Sequence, residues 1–300
     1  MRNLVLIAGR PSHPPGQHEF RAGTRLLQGW LASVPGLSVN AYDGGWVPDH
    51  GVIEKAHAVV IFADGGRGHP LLEDDRLGEL GSLVRRGGSV GLMHYATELP
   101  VDAGAAEVDA WVGGHYEDRF SCNPIWNARF ERFPEHPITR GVKPFETTDE
   151  WYINVRFAAF STSHEGTRDV TRFWPILVAT PNEKVRAGPY VWPHGPYPHV
   201  VAAAGRTEVL MWAVERPDSG RGFGLTGGHF HENWGNPQFR KVVLNALVWV
   251  AGVDVPANGI SSELRVDDLR RELDEKSTPH TVIGEFVPHA AVNNVLGHHR

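Results

Sequence analysis

Ser89-Val90-Gly91-Leu92-Met93-His94-Tyr95-Ala96-Thr97-Glu98 reads as a strand, a sharp turn and the start of a helix. A short apolar run that stops on a polar residue is the signature of a buried strand whose last residue reaches a sheet edge. Sheets of this kind present a nucleophile at such an elbow. Here the elbow residue is His94, which cannot act as the usual Ser or Cys acyl carrier. A general base or a metal ligand remains. Three further branched runs, 3–8, 37–42 and 58–63, precede it. The intervening stretches have helical spacing: Phe20, Leu27 and Leu31 fall on one stripe of 20–31, and Leu77, Leu80 and Val84 on one stripe of 72–84. Alternating strands and helices predict an α/β fold in three layers, a mostly parallel doubly wound sheet of flavodoxin-like type.

Past His94 the pattern loosens. Residues 113–198 are dense in Trp, Tyr, Pro and His and read as long functional loops and edge strands around one sheet. Regular structure is expected again at 175–180, 199–204, 209–214 and 223–226. Asn236-Pro237 caps and starts a helix that runs through Phe239, Val243, Leu247 and Val250 and stops at Gly252. The division expected is one α/β domain over 1–253 and a C-terminal extension over 254–300 with too few apolar residues for a core of its own. Within the extension 264–273 has the makings of a charged helix. The rest is polar, with Gly284, Pro288 and a terminal Gly297-His298-His299-Arg300. It is expected to pack on a second copy of the chain, giving a homo-oligomer, or across its own domain.

Composition narrows the partners. Of 300 residues 41% are hydrophobic and 21% charged, which excludes wholesale disorder. Lys+Arg 29 against Asp+Glu 35 leaves a net charge of −6, unsuited to covering a phosphate backbone, so no nucleic acid is expected. No apolar run approaches the roughly 20 residues that span a bilayer, so no membrane partner is expected. The first residues read as a strand without a cleavage site. The one cysteine, Cys122, fits a reducing compartment, and a cytoplasmic location is the expectation.

In doubly wound sheets ligands sit beyond the carboxyl ends of the strands. Gly9-Arg10-Pro11-Ser12-His13-Pro14-Pro15-Gly16-Gln17-His18-Glu19 follows the first strand, and Asp64-Gly65-Gly66-Arg67-Gly68-His69 the third. Neither is a nucleotide loop, for the first lacks G-x-G-x-x-G and the second lacks Lys-Ser/Thr. The densest cluster is Gly227-Gly228-His229-Phe230-His231-Glu232-Asn233-Trp234. In an extended segment His229 and His231 would face the same way, either as two metal ligands or as one ligand beside a histidine that satisfies a buried backbone group. Asp149-Glu150-Trp151-Tyr152 sets adjacent acids against large rings, where one carboxyl would be pushed up toward the range of a general acid or base; Arg156 follows. Cys122 has no neighbouring His or basic residue in sequence to activate it.

Taken in order, Ser12-His13 with His18-Glu19, Asp64-Gly65-Gly66 before His69-Pro70, Gly113-Gly114-His115-Tyr116, His136-Pro137-Ile138-Thr139-Arg140-Gly141-Val142, Asp149-Glu150-Trp151-Tyr152, and Gly228-His229 through Trp249-Val250-Ala251-Gly252 carry a resemblance. From about Leu4 to Gly252 the chain resembles the trehalose-utilisation (ThuA-like) family, a branch of the class I glutamine amidotransferase-like fold. The resemblance implies that His94 stands where amidotransferases carry their catalytic Cys, so glutaminase activity is lost. It also implies a carbohydrate substrate, a 3-keto-glycoside or related sugar, acted on by a lyase, hydrolase or isomerase. The catalytic residues expected are His94, Glu150 and His229. Substrate contacts are expected from His18, His115, Trp151, Tyr152, Arg156 and Trp234. A divalent metal, zinc or manganese, would be held by His94, His229 and His231. The rival reading is a non-catalytic sugar-binding or regulatory protein that kept the pocket without a reaction. A third, an amidotransferase using Cys122, requires that thiol to meet a histidine in space.

Overall fold

The computed structural model of the chain describes residues 1–158 and 171–276. Its strands are β1 (Arg2–Ala8), β2 (Leu37–Tyr42), β3 (Ala58–Phe62), β4 (Ser89–Met93), β5 (Gly114–His115), β6 (Ile125–Phe130), β7 (Phe145–Glu150), β8 (Arg156–Phe157), β9 (Arg172–Ala179), β10 (Glu208–Glu215) and β11 (Arg221–Leu225). Its α-helices are α1 (Phe20–Leu31), α2 (His50–Lys55), α3 (Arg76–Arg85), α4 (Ala105–Val112), α5 (Glu183–Ala187), α6 (Pro198–Val201) and α7 (Pro237–Val250).

Because side chains alternate along a strand, β1 feeds two cores at once. Leu4, Leu6 and Ala8 join Phe20, Leu27 and Leu31 of α1 and the apolar face of α7. Val5 and Ile7 join Ile53 of α2, Leu80 and Leu83 of α3 and Val108 of α4. The strands with no polar face are thus the ones covered on both sides. The sheet has the order β2-β1-β3-β4-β11-β10-β9. β1 to β4 and β11 run parallel, and β10 and β9 close the far edge antiparallel. Strand order reverses at β1, which lies between β2 and β3, and a crevice opens there at the carboxyl ends.

The second half adds two small antiparallel pairs, β5 with β8 and β6 with β7. Every second residue of β6 is buried, Trp126, Ala128 and Phe130, so this hairpin lays one face on the core and leaves the other to solvent. α7 starts as the residues demand: the Asn236 side chain accepts from the Gln238 and Phe239 amides, Pro237 occupies the first position, and Gly252 beyond the end takes a left-handed φ of +78°.

The structure departs from the sequence expectations in four places. Residues 199–204, expected extended, begin in α6, because Pro198 presets a helical first turn. The helix expected over 72–84 is α3, which starts only at Arg76, after a separate 3₁₀ turn over Pro70–Leu72. His94–Thr97 is a 3₁₀ turn and not the opening of an α-helix. Within 264–273 only Val266–Arg270 is helical, again 3₁₀.

Beyond α7 the chain turns back along α1. Trp30 donates its indole N–H to the Glu263 carbonyl at 2.8 Å, Arg21 donates to the carbonyls of Glu272 and Leu273, and the Asp274 amide donates to Glu19 at 2.8 Å. Residues 254–276 therefore lie on their own domain. Gly284, Pro288 and the terminal Gly297-His298-His299-Arg300 lie outside the described residues.

A candidate metal and acid-base centre

Four parallel strands deliver polar residues to one crevice. The loop after β1 brings His13 and His18, β3 leads to Asp64, β4 to His94, and β11 to His229. Glu150 arrives from the side as the last residue of β7. Donor atoms of His18, His94, Glu150 and His229 all lie within 4.8 Å of one another, and all four residues are buried.

Three of these residues carry backbone strain. His13, His18 and His94 have φ of +59°, +47° and +55°, a region that a side chain makes unfavourable. Such strain persists where the surroundings over-determine it, typically at functional sites. At β4 the fixing contact is the His94 ring, whose Nδ1 lies 2.7 Å from the Thr226 carbonyl at the end of β11. The Thr97 hydroxyl donates to the His94 carbonyl at 2.7 Å and closes the turn.

Those partners assign the protons. A carbonyl oxygen only accepts, so His94 Nδ1 carries the hydrogen and Nε2 of the neutral ring presents a lone pair inward. His18 Nδ1 lies 3.0 Å from Asp64 Oδ1, which in the same way leaves His18 Nε2 bare. The two Nε2 atoms face one another at 3.0 Å. His229 Nδ1 completes the group, 2.9 Å from His18 Nε2 and 2.6 Å from Glu150 Oε2. Glu150 Oε2 is also 3.6 Å from His94 Nε2, and its other oxygen accepts from the Asn123 amide at 2.6 Å.

Burial decides the charge states. It pushes His94 down to about 3, His229 down to about 4 and His18 well below the usual histidine range, with the neighbouring imidazoles adding to the effect on His18 and His94. Glu150 goes the other way, up to about 7, with burial outweighing the attraction of His94. The imidazoles are thus neutral at neutral pH, and three nitrogens with one carboxylate oxygen point at a common centre. A tetrahedral zinc with bonds of about 2.0–2.1 Å keeps its donors about 3.3–3.4 Å apart. Donor separations of 2.6, 2.9, 3.0 and 3.6 Å bracket that spacing. The set fits a divalent cation with small adjustments of ring position.

Asp149 holds the frame without entering it. Its carboxylate accepts from the backbone amides of Gly228 at 2.7 Å, His229 at 3.0 Å and Glu150 at 2.8 Å, and from the Asn233 side chain at 2.9 Å. One buried acid thereby ties the end of β7 to the loop after β11.

A cavity of about 670 Å³ opens onto the cluster and reaches His13, His18, Tyr95, Glu98, Asn123, Glu150 and Tyr152, with Val101, Val191 and Trp192 among the residues at its wall. The last three are 68%, 39% and 71% exposed and give the cavity an apolar rim.

The family model described as trehalose utilisation (ThuA) matches residues 18–250. The chain belongs to the trehalose-utilisation (ThuA) family. Among solved structures it is similar to a ThuA-like protein from Bacteroides uniformis ATCC 8492, at 14% identity over 84% of this chain and 92% of that one, with a TM-score of 0.57. It is likewise similar to a ThuA-like protein from Parabacteroides merdae ATCC 43184, at 14% identity over 89% and 94%, with a TM-score of 0.54. Comparison with curated proteins gives no match. All but one of the clustered histidine and glutamate side chains lie well inside the ThuA match; His18 is its first residue.

The remaining sequence-derived residues scatter around this ThuA cluster. Tyr152 lines the cavity with its hydroxyl 3.4 Å from His94 Nε2. His231 lies outside the cluster: a 3₁₀ turn begins at His231 and ends the extended alternation that would have aligned it with His229. Its ring is buried, and burial pushes it down to about 4. Trp151 is buried against Phe130 and Phe239, and Trp234 against Trp30 and Phe239, so both are core rings away from the cavity wall. His115 bonds Asp109 at 2.7 Å, while its neighbour Tyr116 reaches the cavity. Arg156 pairs with Glu117 at 2.7 Å and lies over the Phe120 ring, bracing the wall from behind. The Cys122 thiol is buried outside the cluster and pushed up to about 12 by burial, which suits neither a nucleophile nor a metal ligand. The sequence assigns no part to Glu98, Asn123 or Trp192, and marks Asp64 only by its place directly after a parallel strand and in a family motif.

No helix among the described residues is long and apolar enough to cross a membrane.

Proposed function

We propose that the protein is an enzyme acting on a 3-keto-glycoside or a related keto-sugar, with a divalent cation held by His18, His94 and His229 and with Glu150 as the base. One observation carries the cation: His18 Nε2 and His94 Nε2 face each other at 3.0 Å while the other nitrogen of each ring is committed to an acceptor. Two lone pairs at that distance in a buried site repel, and a shared cation turns the repulsion into ligation. Three nitrogens, with no sulfur, suit zinc or manganese. The committed outer nitrogens are the support that metal-bound histidines ordinarily receive. When bound, such a cation polarises a carbonyl or enolate oxygen.

The chemistry of the residues then follows from their tuning. A ketone acidifies the neighbouring carbon, so a base with a pKa near neutrality suffices to remove its proton. Glu150 is pushed up by burial and lines the cavity, which gives it access to that proton. Tyr152, whose ionisation burial raises well above the ordinary range, stays a hydrogen-bond donor beside it.

The test is made on the full chain without a histidine tag. Elemental analysis should find zinc or manganese, and solvent deuterium should enter C2 of a 3-keto-glucoside during turnover. Metal-free protein with full activity in chelator would remove the cation, and binding of the same sugars with neither exchange nor turnover would replace the enzyme by a sugar-binding protein.

A further inference from the structure

Glu98 shares the cavity with Glu150. The two acids differ in what holds them. Glu150 is engaged by Asn123 and His229, whereas the Glu98 carboxyl makes no hydrogen bond or ion pair among the described residues, and the charges that act on it are those of Asp118 and Glu150. Its backbone is fixed: the Glu98 amide donates to the Tyr95 carbonyl at 2.9 Å, and its carbonyl accepts from the Gly66 amide at 2.9 Å. Gly66, with φ of +60°, passes beneath the carboxyl, and a Cβ there would lie 3.2 Å from Glu98 Oε1. At Gly65 a Cβ would strike the Tyr95 carbonyl at 2.0 Å. Asp64-Gly65-Gly66 thus seats a free acid on the cavity wall while Asp64 orients His18. Burial, reinforced by Asp118 and Glu150, pushes Glu98 up to about 8, so it holds a proton at neutral pH.

We propose that Glu98 is the general acid of this site and protonates the leaving oxygen of a glycoside whose C2 proton Glu150 removes. The assignment rests on the keto-sugar reading above and adds to it the reaction class, an elimination. The C2–H bond breaks, its proton goes to the Glu150 carboxylate, and its electron pair becomes the C1=C2 double bond. The C1–O bond breaks in turn, and the departing oxygen takes the proton of Glu98. The products are an alcohol and a 1,2-unsaturated 3-keto sugar; nothing is oxidised or reduced overall. Glu150 ends protonated and Glu98 ionised, and exchange with water restores both.

The experiment compares the native metal-loaded chain with Glu98→Gln on methyl 3-keto-glucoside, whose leaving group needs a proton, and on 4-nitrophenyl 3-keto-glucoside, whose leaving group does not. Alcohol release and deuterium entry at C2 are followed together. Loss of a general acid should lower methanol release relative to C2 exchange by about 10²–10⁴-fold, and leave nitrophenol release within about tenfold of native. Equal losses on the two substrates, or parallel losses of release and exchange, would make Glu98 a structural residue and overturn the assignment. A native protein with neither exchange nor release overturns the keto-sugar reading itself. Native C2 exchange without alcohol release keeps that reading and overturns Glu98 alone.

Discussion

Lys276 Nζ lies 3.2 Å from Glu19 Oε1, with the two side chains 3% and 1% exposed. The ammonium also donates to the carbonyls of Gln17 and His18. A residue beyond the ThuA match therefore pins the loop that carries His18 into the cluster. Removing one partner of a buried pair leaves an uncompensated charge and costs about 3–5 kcal/mol. Lys276→Met should lower the unfolding free energy in urea by that order, and adding Glu19→Gln should recover part of the loss. Truncation after Gly252 also strips Val255, Ile260 and Leu269 from the core they pack against, so that product should be prone to aggregate. A Lys276→Met protein as stable as native would show that the tail rests on the domain without holding it.

Metal affinity should follow the geometry of the cluster. Alanine at His18, His94 or His229 removes a donor and should abolish tight zinc binding in calorimetric titration. Asp64→Asn leaves every donor in place but replaces the acceptor of the His18 Nδ1 proton, and should weaken binding about 10–100-fold. Native protein at a metal concentration of 100 Kd should gain about 2.7 kcal/mol of stability, and the triple alanine variant should gain none. His231→Ala, outside the cluster, should keep the native affinity; a loss there would move the site.

The fold was legible because it rests on local patterns. Runs such as 4–8 and 58–63 are apolar throughout, and only a sheet covered on both faces asks for that; α1 matches its expected bounds and stripe, and α7 its expected caps. The site was half legible. His94, Glu150 and His229 stand at strand ends, where strand order alone brings them near one another. The sequence points to His18 as a substrate contact and not as a metal ligand, because its place depends on the left-handed turn at the end of an eleven-residue loop, which no periodicity encodes. His231 falls outside the cluster because a 3₁₀ turn begins where an extended backbone would have aligned it with His229. Trp151 and Trp234, expected as substrate contacts, are buried core rings, and a tryptophan beside a site is as well suited to filling the core behind it.

The contrast among tryptophans can be measured. Trp192, 71% exposed at the rim of the cavity, should change stability by no more than about 0.5 kcal/mol on conversion to alanine. Trp234, buried against Phe239, should cost about 3–5 kcal/mol. If the rim takes part in recognition, Trp192→Ala should weaken binding of 3-keto-trehalose by about 0.5–1.5 kcal/mol through loss of stacking on the sugar. Unchanged affinity would leave the rim without a part in recognition.

Acid should destabilise the fold through two buried histidines. His69 and His136 occupy the same local motif, a histidine before a proline whose Nδ1 accepts the backbone amide two residues on, Leu71 at 3.0 Å and Ile138 at 3.2 Å, and so caps a 3₁₀ turn. That bond requires a bare Nδ1, and the buried His69 ring spends its other nitrogen donating to the Ala96 carbonyl at 3.1 Å. Protonation would set two N–H groups against each other, and burial accordingly lowers both histidines to about 4. In the unfolded chain each titrates near 6.5. Between those values the unfolded state binds a proton that the folded state refuses, so stability is full above pH 6.5 and is lost as pH falls toward 4. For fully buried His69 the loss amounts to about 3 kcal/mol across that window, at 1.36 kcal/mol for each unit. His69→Asn keeps a side-chain acceptor for the Leu71 amide but has nothing to titrate. Urea unfolding from pH 8 to 4.5, in chelator so that metal release does not contribute, should show a shallower decline for that variant than for the native protein. Parallel curves would mean that His69 accepts its proton without unfolding the turn it caps, and the acid sensitivity would then have to come from the histidine cluster.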